Sequence, residues 1–273
     1  MMTQQTHSSQ ANASKTISPP QVVLWVLRVT VAVQCVGAAW AIGLDLSPVA
    51  KTLYFNVGLP EAAAVWFDRV VLTLLIASAA AVLGLRTRAV PIAVATWFVL
   101  LAAGTWYLGG KPFSDWSLAA HAVRYAAPIA LAMLHAPSSD QPTGRRNELV
   151  QWLLRVAVAL TFLVHGLEAL SQHPRFVDFL LVGWEKFFGL RLAESSARSL
   201  LIAIGIFDVL VAAGALLSRK WRWILAWMAF WGAVTAASRI VYGGADHGHM
   251  TLIRAANAGV PLALFWWLGD RRE

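Results

Sequence analysis

The chain has 273 residues, of which 58% are hydrophobic and 13% charged, against about 25% charged in an ordinary soluble domain. That composition excludes a soluble globular domain and makes the lipid bilayer the solvent for most of the chain. The net charge of +8 does not point to nucleic acid, because the basic residues lie between apolar segments, where topology signals belong.

Residues 1–20 are polar, end in "SPP" and lack the charged start, apolar core and cleavage site of a signal peptide. They are expected to form a disordered cytoplasmic tail. A spanning helix needs about 20 mostly apolar residues. Eight segments meet or approach that length: 22–43, 64–84, 89–108, 117–135, 150–170, 199–217, 222–242 and 250–268. Aromatic clusters near their ends ("WFD", "TWYLGG", "WRW", "FWW") fit interfacial belts. Between spans five and six, "RFVDFLLVGWEKFFGL" is too short and too charged to cross, and reads as an amphipathic helix lying at the membrane surface. The lone cysteine, Cys35, lies in an apolar run, which excludes an intramolecular disulfide and a Cys-x-x-Cys redox centre.

Lys15, Arg86, Arg88, Arg145, Arg146, Arg219, Lys220, Arg222, Arg271 and Arg272 fall on one side of such a chain. The other side holds Lys51, Lys111, Arg175, Lys186, Arg191 and Arg198. The richer side is expected in the cytoplasm, together with both termini.

The halves echo each other. "LWVLRVTVAVQCVGAAWA" pairs with "QWLLRVAVALTFLVHGLEAL", matching Arg28 with Arg155; "LGLRTRAV" pairs with "LLSRKWRWI", matching Arg88 with Arg222. "YLGGKPFSDWSLAAHAVRYAAPIALAML" pairs with "VYGGADHGHMTLIRAANAGVPLALFW", matching Gly109 with Gly243 and Pro128 with Pro261. The expected fold is all-α: two parallel four-helix repeats, residues 21–136 and 149–273, joined by a cytoplasmic linker at 137–148.

"LLRVAVALTFLVHGLEAL" followed by "GIFDVLVAAGALLSRKWRWILAWM" resembles the DoxX family of bacterial four-helix membrane proteins. The family pattern falls on Arg155, on His165 with Gly166, and on Asp208. Glu168 stands where the family often has Lys, and Leu74 occupies the first-half counterpart of Asp208. The resemblance implies a four-helix membrane fold in a bacterial inner membrane and, for its thiosulfate:quinone-linked members, a quinone-binding subunit of an oxidoreductase. Similar folds elsewhere bind sterol-like ligands or cargo.

Costly polar groups gather at one level of the bilayer. In the second half they are His165, Glu168, Asp208, Arg239, Tyr242, Arg254 and Asn257, and in the first His121 and Arg124, near Asp68, Trp106, Tyr107 and Asp115. Ionisable groups inside a membrane mark functional sites by default. Arg254 is expected within salt-bridge reach of Glu168 or Asp208. The bland alternative is a staple that only holds the bundle together. A metal site could use Asp246, His247 and His249 with His165 and Glu168; a bis-histidine haem has only His121 and His165 to draw on. The favoured reading is a lipophilic ligand, a quinone or lipid, with its head held by Arg and His and its tail among Trp and Phe. With no flavin fingerprint, cysteine cluster or haem motif, a redox role requires a partner that supplies electrons, docked at the extracytoplasmic loops. The competing class is a non-enzymatic transporter of lipid or small molecules, or a scaffold for a partner protein.

Overall fold

The computed structural model describes residues 21–110, 112–135, 143–217 and 222–269. The 1–20 tail, Lys111, Arg219, Lys220, Arg271, Arg272 and residues 136–142 of the linker region lie outside them. The described residues are helical, with no strand among them. Seven helices are long and apolar enough to cross a bilayer, and a bent pair makes an eighth if it counts as one span.

In the first half, α1 (Gln21–Leu44) leads into a short helix, α2 (Pro48–Phe55). Ser47 caps α2 by accepting from the Ala50 amide, and Pro48 sits at its first turn, where no N–H is needed. Next come α3 (Glu61–Gly84) and α4 (Ala89–Leu108), then a 3₁₀ turn (Ser114–Trp116), α5 (Ser117–Ala120) and α6 (Ala122–Leu134). The second half runs through the same order: α7 (Thr143–Leu170), the shorter α8 (Pro174–Phe188), α9 (Glu194–Leu217), α10 (Arg222–Gly243), a 3₁₀ turn (Ala245–His247), α11 (Gly248–Leu252) and α12 (Ala255–Gly269).

The packing follows that order. α1 packs on α3 as α7 does on α9, and α4 on α6 as α10 does on α12. α2 lies on α3 and α4, and α8 lies on α9 and α10. Across the halves, α1 meets α11 and α12 while α7 meets α5 and α6, with α6 touching α12 between them. One buried cluster, including Leu27, Phe98, Leu131, Leu154, Leu264 and Trp267, runs through both halves.

Lipid tails are as apolar as leucine, so helices associate here through close packing and not through burial from water. Gly166 of α7 and Gly205 of α9 show how. A Cβ on Gly205 would lie 2.8 Å from the Gly166 carbonyl oxygen, and one on Gly166 would lie 3.0 Å from that of Gly205. Only the missing side chains let the backbones come this close.

The amphipathic segment is helical as expected. His173 caps α8 by accepting from the Arg175 amide, and Gly189 ends it in the left-handed region at φ +67°. Val177 is buried against Ala169, Ala197 and Leu201, while Phe187, Phe188 and Leu190 stay exposed.

At the opposite end of the bundle, two buried arginines close helix C-termini. Arg155 donates from Nε and Nη2 to the Ala215 carbonyl at 3.0 and 2.7 Å, and Arg28 donates from Nη1 to the Leu83 carbonyl at 3.4 Å. Both carbonyls lie in the last turn of their helix, where intrahelical donors run out and the helix dipole favours a cation. Each guanidinium also sits over a tryptophan three residues earlier, Arg28 over Trp25 at 5.6 Å and Arg155 over Trp152 at 5.5 Å. Arg28 Nη2 lies 3.2 Å from His135 Nε2, whose Nδ1 faces the Thr87 carbonyl at 3.2 Å. An arginine can only donate, so Nδ1 of His135 carries the proton. Burial, with Arg28 and Arg86 nearby, holds the His135 imidazole below the usual histidine range.

Candidate functional site

The site is built around two interrupted helices. Pro128 and Pro261 lack an N–H, so the carbonyls four residues earlier, of Arg124 and Asn257, lose their intrahelical partner. Seven residues before each proline the helix breaks. His121 separates α5 from α6, and Ile253 with Arg254 separates α11 from α12, with a 42° bend. The chain then restarts in the same way in both halves, the Arg124 amide donating to the His121 carbonyl and the Asn257 amide to the Arg254 carbonyl, each at 2.9 Å. Amides freed at such breaks need partners inside the bilayer. Thr161 of α7 supplies one, accepting from the Val123 amide at 3.3 Å.

Beside the second break lies a cavity of about 170 Å³, enclosed by α7, α8, α9, α10 and α12. Phe162, Phe176, Phe179 and Trp231 give it aromatic walls; His165, Asp208, Thr235, Ser238, Arg239 and Asn257 supply the polar groups. Val234, also in the wall, is exposed on the outer surface of α10, so the cavity reaches the lipid-facing side of the bundle between α9 and α10.

Arg239 is 8% exposed and lies over the Phe179 ring at 4.5 Å. Its Nη1 donates to the Thr235 carbonyl and to Ser238 Oγ, while its enclosed Nε has no partner among the described residues. Asp208, 5% exposed, accepts from the Trp231 indole N–H, while its enclosed Oδ1 has no hydrogen bond among the described residues. Asp208 and Arg239 make no ion pair with each other among the described residues. Leaving a buried charge uncompensated costs several kcal/mol. A cavity that holds an unused donor and an unused acceptor in its walls is therefore suited to a molecule that brings the complement.

His165 donates from Nδ1 to Glu168 Oε2 at 2.8 Å, which fixes the orientation of its ring. Glu168 positions His165 but does not line the cavity. Of the residues singled out in the sequence, His165, Asp208, Arg239 and Asn257 come together here. Tyr242 is 40% exposed and meets the site only through its edge-on contact with Phe179, at 5.2 Å between ring centres.

The expected ion pair of Arg254 is absent among the described residues. The bend at Ile253 and Arg254 turns the side chain back along its own helix, where Nη1 donates to the Met250 carbonyl at 2.7 Å. Arg254 lines a separate groove between α1, α10 and α12. It still lies within electrostatic reach of Glu168, Arg239, Arg124 and His121. His121 and Arg124 line a cavity of the first half, together with His249.

Asp246, His247 and His249 do not gather with other ligands: among the described residues no three His, Cys, Asp or Glu side chains converge. His247 Nδ1 faces the Gly243 carbonyl at 3.0 Å and His249 Nδ1 the Asp246 carbonyl at 2.9 Å. Sequence reasoning missed Thr235 and Ser238, which are uncharged and common inside membrane helices. The i−4 spacing of Thr235 from Arg239 was the available signal, and Ser238 carried none.

No protein-family model, curated protein or solved structure matches this chain.

Proposed function

We propose that the chain is a DoxX-like integral protein of the bacterial inner membrane, a duplicated four-helix unit with both termini cytoplasmic. In this reading its second half binds a lipophilic small molecule by a ring-sized polar head. The duplication is supported by the matching element order and by the paired arginine clamps on α3 and α9. The ligand reading is carried by one observation: a buried cation and a buried acid, each with an unused polar atom, face the same aromatic-walled cavity without pairing.

Size narrows the ligand class. An engineered apolar cavity of about 150 Å³ takes up benzene, so about 170 Å³ holds one six-membered ring and not a whole drug-sized molecule. A tail would leave past Val234 into lipid. A quinone combines such a ring with two carbonyl acceptors and an apolar tail. Arg239 Nε and the Asn257 amide would donate to a carbonyl, Phe179 or Trp231 would stack on the ring, and Asp208 would stand by as a proton carrier. Electrons would come from a partner protein, which makes this chain the quinone-binding membrane subunit of an oxidoreductase. The exposed lateral opening also serves the second reading, a carrier or scaffold that exchanges a lipid with the bilayer.

The test is chemical. Protein purified in mild detergent is extracted with organic solvent and the lipophiles are identified by mass spectrometry, for wild type and for Asp208→Asn with Arg239→Gln. Wild type is expected to carry a ring-headed lipophile near one per chain, and the double variant to melt within a few degrees of it while losing at least nine-tenths of that ligand. A folded double variant that retains the ligand contradicts the reading.

A further inference from the structure

The first half forms most of a second cavity, of about 250 Å³, between α1, α2, α4 and the α5–α6 break, with His249 and Ile253 of the second half completing its wall. It occupies the position in its half that the aromatic-walled cavity occupies in the other, yet the chemistry differs. Four residues before the paired prolines stands Arg124 in the first half and Asn257 in the second. The acid Asp208 has no first-half counterpart in this wall. Arg124 is 9% exposed, its side chain donates no hydrogen bond among the described residues, and its enclosed Nε has no partner there. The charges that act on it most are the guanidiniums of Arg254 and Arg239, both cations.

The carboxylates nearby are already engaged. Asp68 accepts from the Ser47 amide and hydroxyl at 2.6 and 2.7 Å, Asp45 pairs with Lys51 at 2.5 Å, and Glu168 holds His165. This buried guanidinium, influenced by other guanidiniums and lining an open volume, has no counter-charge among the described residues. Its planar fork of donors matches an oxyanion in two-pronged geometry. The same wall holds His121 and Lys51, the latter paired with Asp45, which also lines the cavity. The volume is several times the roughly 30 Å³ share of a water molecule, enough for a tetrahedral oxyanion with water around it.

We propose that this cavity is a second ligand site that takes an oxyanion on Arg124, either as a free ion or as the headgroup of an anionic lipid. The inference does not depend on the ring-binding reading of the other half.

The test uses the full chain in two settings. In neutral detergent, inorganic phosphate is titrated while thermal unfolding is followed. In lipid nanodiscs of phosphatidylcholine with and without phosphatidylglycerol, native mass spectrometry counts retained lipid. A free-ion site raises the melting temperature saturably with phosphate in wild type and in Arg124→Lys, with at least a tenfold loss of affinity in Arg124→Gln. A headgroup site shows no phosphate effect but keeps about one phosphatidylglycerol per chain, lost from Arg124→Gln. Without anion, Arg124→Gln is expected to melt at or above wild type, because an uncompensated charge has been removed. Should Arg124→Gln not fold, Leu101→Trp, which fills the cavity while keeping the cation, is expected to abolish binding of either probe. The proposal is overturned if neither probe binds, if binding survives Arg124→Gln or Leu101→Trp, or if Arg124→Gln folds, binds nothing and melts below wild type.

Discussion

His173 shows how one side chain couples charge to structure at the membrane surface. Its Nδ1 accepts from the Arg175 amide to cap α8, and its ring stacks between Phe113 and Phe176. Burial holds its imidazole below the usual histidine range, against the pull of Glu168. Since the unfolded chain takes up the proton more readily, stability is full above the ordinary value of about 6.5 and falls as pH drops through and below it. Protonation also removes the capping acceptor. Melting temperature is therefore expected to decline between pH 7.5 and 5.5, with a shallower decline in His173→Asn, which keeps a capping oxygen without a proton to gain. An unchanged slope would assign the pH response elsewhere, with His135 the next candidate. Arg155 illustrates the other residue-scale lesson: a charge in an apolar run is legible as costly, but the sequence does not say whether it serves a ligand or a helix end. Here it closes α9. Arg155→Met should lose about 1.5–3 kcal/mol of stability, the range for hydrogen bonds to charged groups, with ligand retention in the folded fraction unchanged; unfolding in graded denaturant measures it.

At the scale of elements, lengths and apolarity made the spans legible, because a bilayer leaves few alternatives to a 20-residue helix. The breaks were only half legible. Pro128 and Pro261 stand out in the sequence, but the interruption falls seven residues earlier, where His121 and Arg254 sit, and local signals do not mark that offset. At the bend Arg254 donates to the Met250 carbonyl, and the pairing with Glu168 or Asp208 expected from their shared level is not made. The α7–α9 contact sets the distance between His165 and Asp208 and rests on Gly166 and Gly205. Gly205→Ala should cost about 1–3 kcal/mol through overpacking, whereas Gly183→Ala in α8, with nothing within 4 Å of the added carbon, should be neutral or slightly stabilising. Comparable losses at both positions would show that the close approach is not what holds α9 in place.

For the whole molecule, His165, Asp208, Arg239 and Asn257 line one cavity beneath α8, and His121 and Arg124 another beneath α2, at the same end of the bundle. The sequence could place the costly groups at one level but not sort them into cavities, because that depends on which helices face each other across the halves. In the proposed orientation, with both termini cytoplasmic, this end lies outside the cytoplasm. A cysteine introduced at Glu185 in exposed α8 should react with a membrane-impermeant maleimide in intact cells and one at Leu85 should not, with buried Cys35 giving little background. The reverse pattern would place both cavities at the cytoplasmic face. The most direct test of the central claim is to locate the ligand. Membranes holding the full chain are labelled with a photoreactive short-chain benzoquinone and the modified peptides are mapped by mass spectrometry. Labelling is expected to concentrate on α8, α9 and α10, at residues such as Phe179, Ile204 and Thr235, and to be suppressed by excess unlabelled benzoquinone. Labels spread evenly over the lipid-facing helices, or confined to the first half, would contradict it.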